Sequence, residues 1–283
     1  MAPSSVDPAG FEFASGGITL RGIAVMPASA RTALIMIHGW GTCRTGPQRH
    51  FVDLAGRLAG RGVASLRFDL PGRGISDGDD ASVTINIMAR AAADAVTCLR
   101  AAHPGLERIG LAGICSGGNA AILAALIVPV DFLVLWSTFS FRVRKGAADR
   151  TRRTGRMLGV YARKLFAAAT WGKLFRGALH PRLIRDALFG PRAAAGRHPK
   201  DSAVDAMAAW RGSRGPVLFV YGTADPGAPE ARAAFEAHAR EAGLDARFVD
   251  IPGASHNFYR AEWAAALLDA TAAFIAAAGP AEG

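Results

Sequence analysis

Residues Ile109–Ile122 read Ile-Gly-Leu-Ala-Gly-Ile-Cys-Ser-Gly-Gly-Asn-Ala-Ala-Ile, an apolar strand-like run, a glycine-bounded turn and the start of a helix-like run. The turn, Gly113-Ile114-Cys115-Ser116-Gly117, has the spacing of a nucleophile elbow, Gly-x-Ser-x-Gly, with cysteine in the central place. A strand that turns this sharply into a helix forces strained backbone on its central residue, and side chains two positions away collide. The same turn lifts the central side chain above a helix N-terminus, which favours a thiolate. Register selects Cys115 over Ser116 as the attacking residue. With Ser116 at the centre the position two before it is Ile114, whose β-branched side chain fits the crowded site badly.

Working outward, the flanks repeat an alternation of strand and helix. Phe11–Phe13 and Ile18–Met26 read as two strands around Ser15-Gly16-Gly17, a hairpin signal. Thr32–Ile37 and Val63–Phe68 are short apolar runs of the kind buried on both faces of a sheet. Arg49–Gly60 between them has helical spacing, and Ser82–Ala102 is a long helical stretch that stops before Pro104. After the elbow a helix runs to about Val128, followed by the strand Phe132–Trp136. Val217–Tyr221 and Arg247–Ile251 resume the strands, with helices at Ala228–Ala242 and Glu262–Ala277. This order implies an α/β fold whose sheet is mostly parallel and covered by helices on both faces.

Residues 137–211 interrupt that order. They carry helical pieces and the breakers Gly172, Gly177, Pro181, Gly190, Pro191 and Pro199, without a strand signal. We read residues 1–136 and 212–283 as the core, and residues 137–211 as an inserted helical cap. A loosely ordered connector is the alternative, although Trp171, Leu174, Phe175 and Leu179 form an apolar face that a linker does not need. The insert is also strongly basic. Phe141–Lys200 holds 16 Lys/Arg against two acids, Asp149 and Asp186, while the whole chain is +10. All of the excess positive charge therefore lies in one segment, which bears on the substrate more than on the fold.

Composition narrows the classes. In 283 residues, 51% hydrophobic, a sizeable core is available. Three cysteines, Cys43, Cys98 and Cys115, form neither a disulfide framework nor a metal-binding pair, which fits a reducing, cytoplasmic setting. Met1–Gly10 has neither the basic nor the apolar region of a secretory signal, and no apolar run approaches the roughly 20 residues that span a bilayer. No His/Cys/Asp cluster has metal-ligand spacing, and no Gly-x-Gly-x-x-Gly follows a strand, so neither a metal nor a cofactor is expected. Nucleic acid is disfavoured as a partner, because no recognised nucleic-acid motif accompanies the basic residues.

Five stretches in order carry a resemblance: His38-Gly39-Trp40-Gly41, Asp69–Gly78 (Asp-Leu-Pro-Gly-Arg-Gly-Ile-Ser-Asp-Gly), the elbow Gly113–Gly117, Tyr221–Pro226 (Tyr-Gly-Thr-Ala-Asp-Pro) and Gly253–Phe258 (Gly-Ala-Ser-His-Asn-Phe). With these the chain resembles the α/β-hydrolase superfamily over nearly its whole length, the insert matching least. The resemblance implies that fold, with a mostly parallel eight-stranded sheet, and a triad in the order nucleophile, acid, histidine. Carried onto these motifs, the triad is Cys115, Asp225 and His256. Asp225 also reads as a plain turn residue, and His256 as an ordinary loop histidine. The resemblance further implies an oxyanion hole from the backbone N–H groups of Ser116 and Trp40. The indole of Trp40 reads equally as a wall of the acyl pocket or as core. His38 reads as a packing residue, and Asp69 resembles the family's structural aspartate.

Most of the superfamily uses serine. Dienelactone hydrolases and bile-acid acyl-CoA amino-acid acyltransferases are similar cysteine-bearing branches. A cysteine implies an acyl-thioester intermediate, which amines and thiolates attack more readily, relative to water, than they attack an oxoester. The expectation is thus a thioesterase or acyltransferase acting on an ester or thioester. An ordinary carboxylester hydrolase and a non-catalytic binding protein on the same fold are the alternatives. Val160–Gly177 is similar to the cap helices of hydrolases associated with bacterial exosortase and exopolysaccharide gene clusters. A basic cap above a thiol suits an anionic small-molecule acyl donor, such as a thioester of CoA or of a carrier protein. A solvated arginine face is the other reading.

Overall fold

The computed structural model describes residues 7–139 and 215–277, together with Met207 and Trp210. The chain divides into two units, Met1–Phe141 with Ser202–Gly283, and Arg142–Asp201. The second unit lies outside the described residues, as do the expected cap helices and their basic face.

Eight strands form one sheet: β1 (Ala9–Ser15), β2 (Ile18–Val25), β3 (Thr32–Ile37), β4 (Ala64–Phe68), β5 (Arg108–Ile114), β6 (Leu133–Trp136), β7 (Val217–Gly222) and β8 (Ala246–Ile251). Their spatial order is β1-β2-β4-β3-β5-β6-β7-β8. The β1–β2 hairpin and the β2–β4 pair are antiparallel, and every other pair is parallel. The parallel strands β3, β5, β6 and β7 are buried along nearly their whole length, which is why they read as unbroken apolar runs.

Five α-helices lie wholly among the described residues: α1 (His50–Ala59), α2 (Ile85–Ala102), α3 (Ser116–Ala124), α4 (Ala228–Ala242) and α5 (Ala261–Ala277). They divide between the two faces of the sheet. Val96 and Leu99 of α2, Ile122 of α3 and Phe235 of α4 pack with Ile35, Leu111, Leu135 and Phe219. On the other face, Phe51 and Leu54 of α1 and Leu267 and Phe274 of α5 pack with Leu34, Ala112, Val134 and Val220. Alternate residues of one strand thus feed two separate cores. No described helix is long and apolar enough to cross a membrane.

Two helix ends differ from the spacing-based expectation. α2 begins at Ile85 rather than Ser82, because the Thr84 hydroxyl caps it by accepting the Ile87 N–H at 3.3 Å. α3 ends at Ala124 rather than near Val128, because the Leu126 and Ile127 N–H groups bond three residues back, to Leu123 and Ala124. Ser137–Phe139 and Trp210 pack with the core: Ser137 and Thr138 are fully buried, and Trp210 lies edge-on to Phe219 and Phe235.

Candidate active site

The site lies beyond the C-terminal ends of β3, β5, β6, β7 and β8, where parallel strands release their loops on one edge. At the centre, β5 turns into α3 through Cys115, whose φ of 55° and ψ of −118° put a non-glycine residue in rarely occupied backbone space. The flanking glycines make the turn possible. A Cβ on Gly113 would run into the Gly117 backbone, and one on Gly117 into the carbonyl oxygens of Ile37 and His38. The Cys115 N–H donates to Trp136 O at 2.9 Å, which ties the turn to β6.

Asp225 follows β7 by three residues and is 5% exposed. One carboxylate oxygen accepts the Gly227 N–H at 3.2 Å, and the other lies 2.7 Å from His256 Nδ1. His256 sits in the loop after β8, which is closed by the Phe258 N–H on Ser255 O and pinned to α1 by His50 Nε2 on Asn257 O. With Nδ1 held by Asp225, Nε2 is left for Cys115, which also hydrogen-bonds the ring. Burial disfavours the charged imidazole. The hydrogen bonds to Asp225 and Cys115 and the negative charge of both outweigh it and raise its pKa to about 9. The three residues expected from the motifs are therefore brought together. Ser116 stands apart from them: it is 3% exposed, and its hydroxyl oxygen accepts the Trp40 N–H at 2.9 Å.

That last bond changes the picture of the oxyanion hole. The Trp40 amide already has an acceptor, the Ser116 side chain, while the Ser116 amide lies in the first turn of α3, where N–H groups have no partner within the helix. The Trp40 indole packs against the core on the α2/α3 face while remaining partly exposed. His38 is buried, accepts the Leu70 N–H on Nε2 at 3.1 Å, and is held neutral, with burial as the chief cause of a pKa lowered to about 4. Asp69 is fully buried, pairs with Arg44 and accepts the Arg44 and Ile75 N–H groups. It orders the loop after β4, as its resemblance implied.

The motifs did not point to the segment that follows β6. Ser137 donates its hydroxyl to His256 O at 2.9 Å, and the Phe139 ring stacks on the His256 imidazole. Asn119 of α3 donates to both Cys115 O and Phe139 O, at 3.4 and 3.0 Å. Of these residues only Asn119 lies within the run Ile109–Ile122, and nothing in its spacing marks a link between β5 and β6.

No curated protein matches the sequence. Among solved structures, Est1E of Butyrivibrio proteoclasticus with ferulic acid bound is 23% identical, with a TM-score of 0.65 over 94% of this chain and 98% of that one. A dienelactone hydrolase from Anabaena variabilis is 19% identical, with a TM-score of 0.64 over 96% and 97%. An esterase from Pyrococcus furiosus is 16% identical, with a TM-score of 0.68 over 96% and 92%. At these identities the likeness speaks for the fold. The model of the alpha/beta hydrolase family matches residues 34–270, from within β3 to within α5. A match of that extent, on a sheet of this strand order, establishes the kinship: the chain is an enzyme of the alpha/beta hydrolase family.

Proposed function

We propose that the protein is an acyl-transfer enzyme in which Cys115 is the nucleophile, His256 the general base and acid, and Asp225 the residue that orients it. The observation that carries the reading is the continuous line from the strained Cys115, through His256, to Asp225 at 2.7 Å. His256 takes the thiol proton through Nε2, and the imidazolium it forms is stabilised by the Asp225 carboxylate. The thiolate attacks the acyl carbonyl, and the oxyanion accepts hydrogen bonds from the Ser116 and Trp40 N–H groups. There it replaces the Ser116 hydroxyl as the acceptor of the Trp40 N–H, exchanging a neutral hydrogen bond for a charge-assisted one. Collapse expels the alcohol or thiol with the proton from His256, leaving Cys115 acylated. Water, an amine or an alcohol then gives its proton to His256, attacks the thioester carbonyl, and the thiol is regenerated.

The thioester intermediate favours transfer and thioester exchange over simple hydrolysis, and aligns the chain with the cysteine-bearing branches of the family. The positive charge of Phe141–Lys200 supports an anionic donor, with phosphopantetheine thioesters of CoA or of an acidic carrier protein as the class. The similarity of Val160–Gly177 to exosortase-associated hydrolases, and three thiols suited to a reducing cytoplasm, belong to the same proposal. An ordinary carboxylester hydrolase is the second reading, favoured by the esterases among the structural neighbours.

Intact-mass spectrometry with a panel of acyl thioesters and oxoesters tests this. The expected result is an acyl adduct mapped to Cys115, formed faster from thioesters and discharged faster when amines are added. Discharge by water alone from oxoester donors supports the second reading. An adduct on Ser116, or none with any donor, overturns the nucleophile.

A further inference from the structure

Three consecutive residues after β6 are each tied down by a different part of the site. The Ser137 N–H donates to Val220 O of β7, and its hydroxyl donates to His256 O. Thr138 O accepts the Tyr221 hydroxyl at 2.8 Å, and Phe139 O accepts from Asn119. The Phe139 ring has no room to slide away on one side, since a Cβ on Gly227 would strike its edge. Gly227 is itself bonded to Asp225 through its N–H. The ring is thus held between the loop that carries the acid and the histidine.

We propose that Phe139 is a positioning residue for His256: its ring, 5.3 Å from the imidazole and within 6° of parallel, fixes the imidazole plane and offers its π face to the protonated form. The inference rests on the reading of Cys115 and His256 as a working pair. Two hydrogen bonds in the imidazole plane, to Asp225 and Cys115, restrain the ring nitrogens, yet both survive a tilt of the ring about the line that joins them. A flat apolar ring packed against the imidazole face removes that freedom. It also excludes water from the face and favours the cation over the neutral ring. Among the described residues, the charged groups facing His256 are the Asp225 carboxylate and the Cys115 sulfur, so the aromatic face adds to an environment already set to hold the proton. Phe139 acts through His256, on whose ring it stacks.

The test is an NMR titration of the His256 ring in the full-length Cys115→Ala protein, where the thiol no longer contributes. Adding Phe139→Leu is expected to lower the midpoint by roughly half a unit to one unit, a threefold to tenfold loss of proton affinity. Phe139→Tyr, which keeps the ring, is expected to restore it. Phe139→Met serves as a second ringless variant, and thermal melting reports whether each variant is folded. A midpoint unchanged in folded Phe139→Leu or Phe139→Met overturns the inference. Iodoacetamide alkylation of Cys115 against pH, in a Cys43→Ser, Cys98→Ser background, separates this outcome from the fate of the catalytic reading. Alkylation of Cys115 at neutral pH no faster than that of an ordinary free thiol sinks that reading, while the titration still decides the role of Phe139.

Discussion

At Cys115 three demands meet in one residue: a backbone conformation few side chains adopt, a place at the N-terminus of α3, and a hydrogen bond to His256. Cys115→Ala is expected to lose all acyl-adduct formation in the mass assay. Ser116→Ala is expected to keep it, because the Ser116 hydroxyl is turned toward the Trp40 amide and not toward the histidine. Adduct formation lost in the serine variant and kept in the cysteine variant would reverse the assignment. Asp225→Asn leaves the shape of the acid in place but no longer fixes the Nδ1–H tautomer of His256. It is expected to lower kcat by roughly 10²–10⁴-fold with little change in KM. That Cys115, Asp225 and His256 lie together was legible because each stands in a short motif at a strand end. The Ser116–Trp40 bond and the Phe139 stack were not. Each joins segments far apart in the chain through one side chain, and such a contact leaves no periodic mark in the sequence.

The strand–elbow–helix unit β5–α3 is the element on which the site depends, and its tolerance is set by backbone contact. Gly113→Ala puts a methyl group into the Gly117 backbone, so overpacking is expected to cost about 1–3 kcal/mol. That corresponds to a fall in Tm of roughly 2–10 °C by thermal denaturation, and an unchanged Tm would remove the steric account of the elbow. The loop after β4 depends on charge instead. Asp69 is fully buried and holds both Arg44 and two backbone N–H groups, so Asp69→Ala is expected to cost roughly 3 kcal/mol in urea denaturation. Buried parallel strands are easy to read, since a short, unbroken apolar run bounded by turn residues suits a strand covered on both faces. Helix ends are harder. Thr84 is hidden as a cap because the helical spacing extends back to Ser82, and α3 stops before Pro129 through a tightened last turn rather than at the proline.

Across the whole molecule, two histidines shifted in opposite directions shape stability against pH. His256 has an ordinary value of 6.5 when unfolded and about 9 when folded, so the folded state holds its proton more tightly. Its stabilisation is complete below 6.5 and is lost as pH rises toward 9. His38, chiefly through burial, falls from 6.5 to about 4, so its contribution is complete above 6.5 and is lost as pH falls toward 4. These two groups together favour a stability maximum near 6.5. His256→Ala is expected to flatten the alkaline limb of a Tm-against-pH curve and leave the acid limb in place. An alkaline limb that stays as steep in the variant would show that the histidine is not its source. The mostly parallel sheet was predictable because strands and helices alternate through most of the chain, while the eight-stranded architecture was what the family resemblance implied. The strand order also has a bearing on how the protein is made. A polypeptide synthesised only as far as residue 215 already holds Cys115, yet neither Asp225 nor His256, the two side chains gathered beside it in the folded site, has been made. Threading the last two strands onto the sheet's edge is thus what carries Asp225 and His256 to the cysteine, so a nascent chain is expected to hold that thiol without its two partners until β8 has docked.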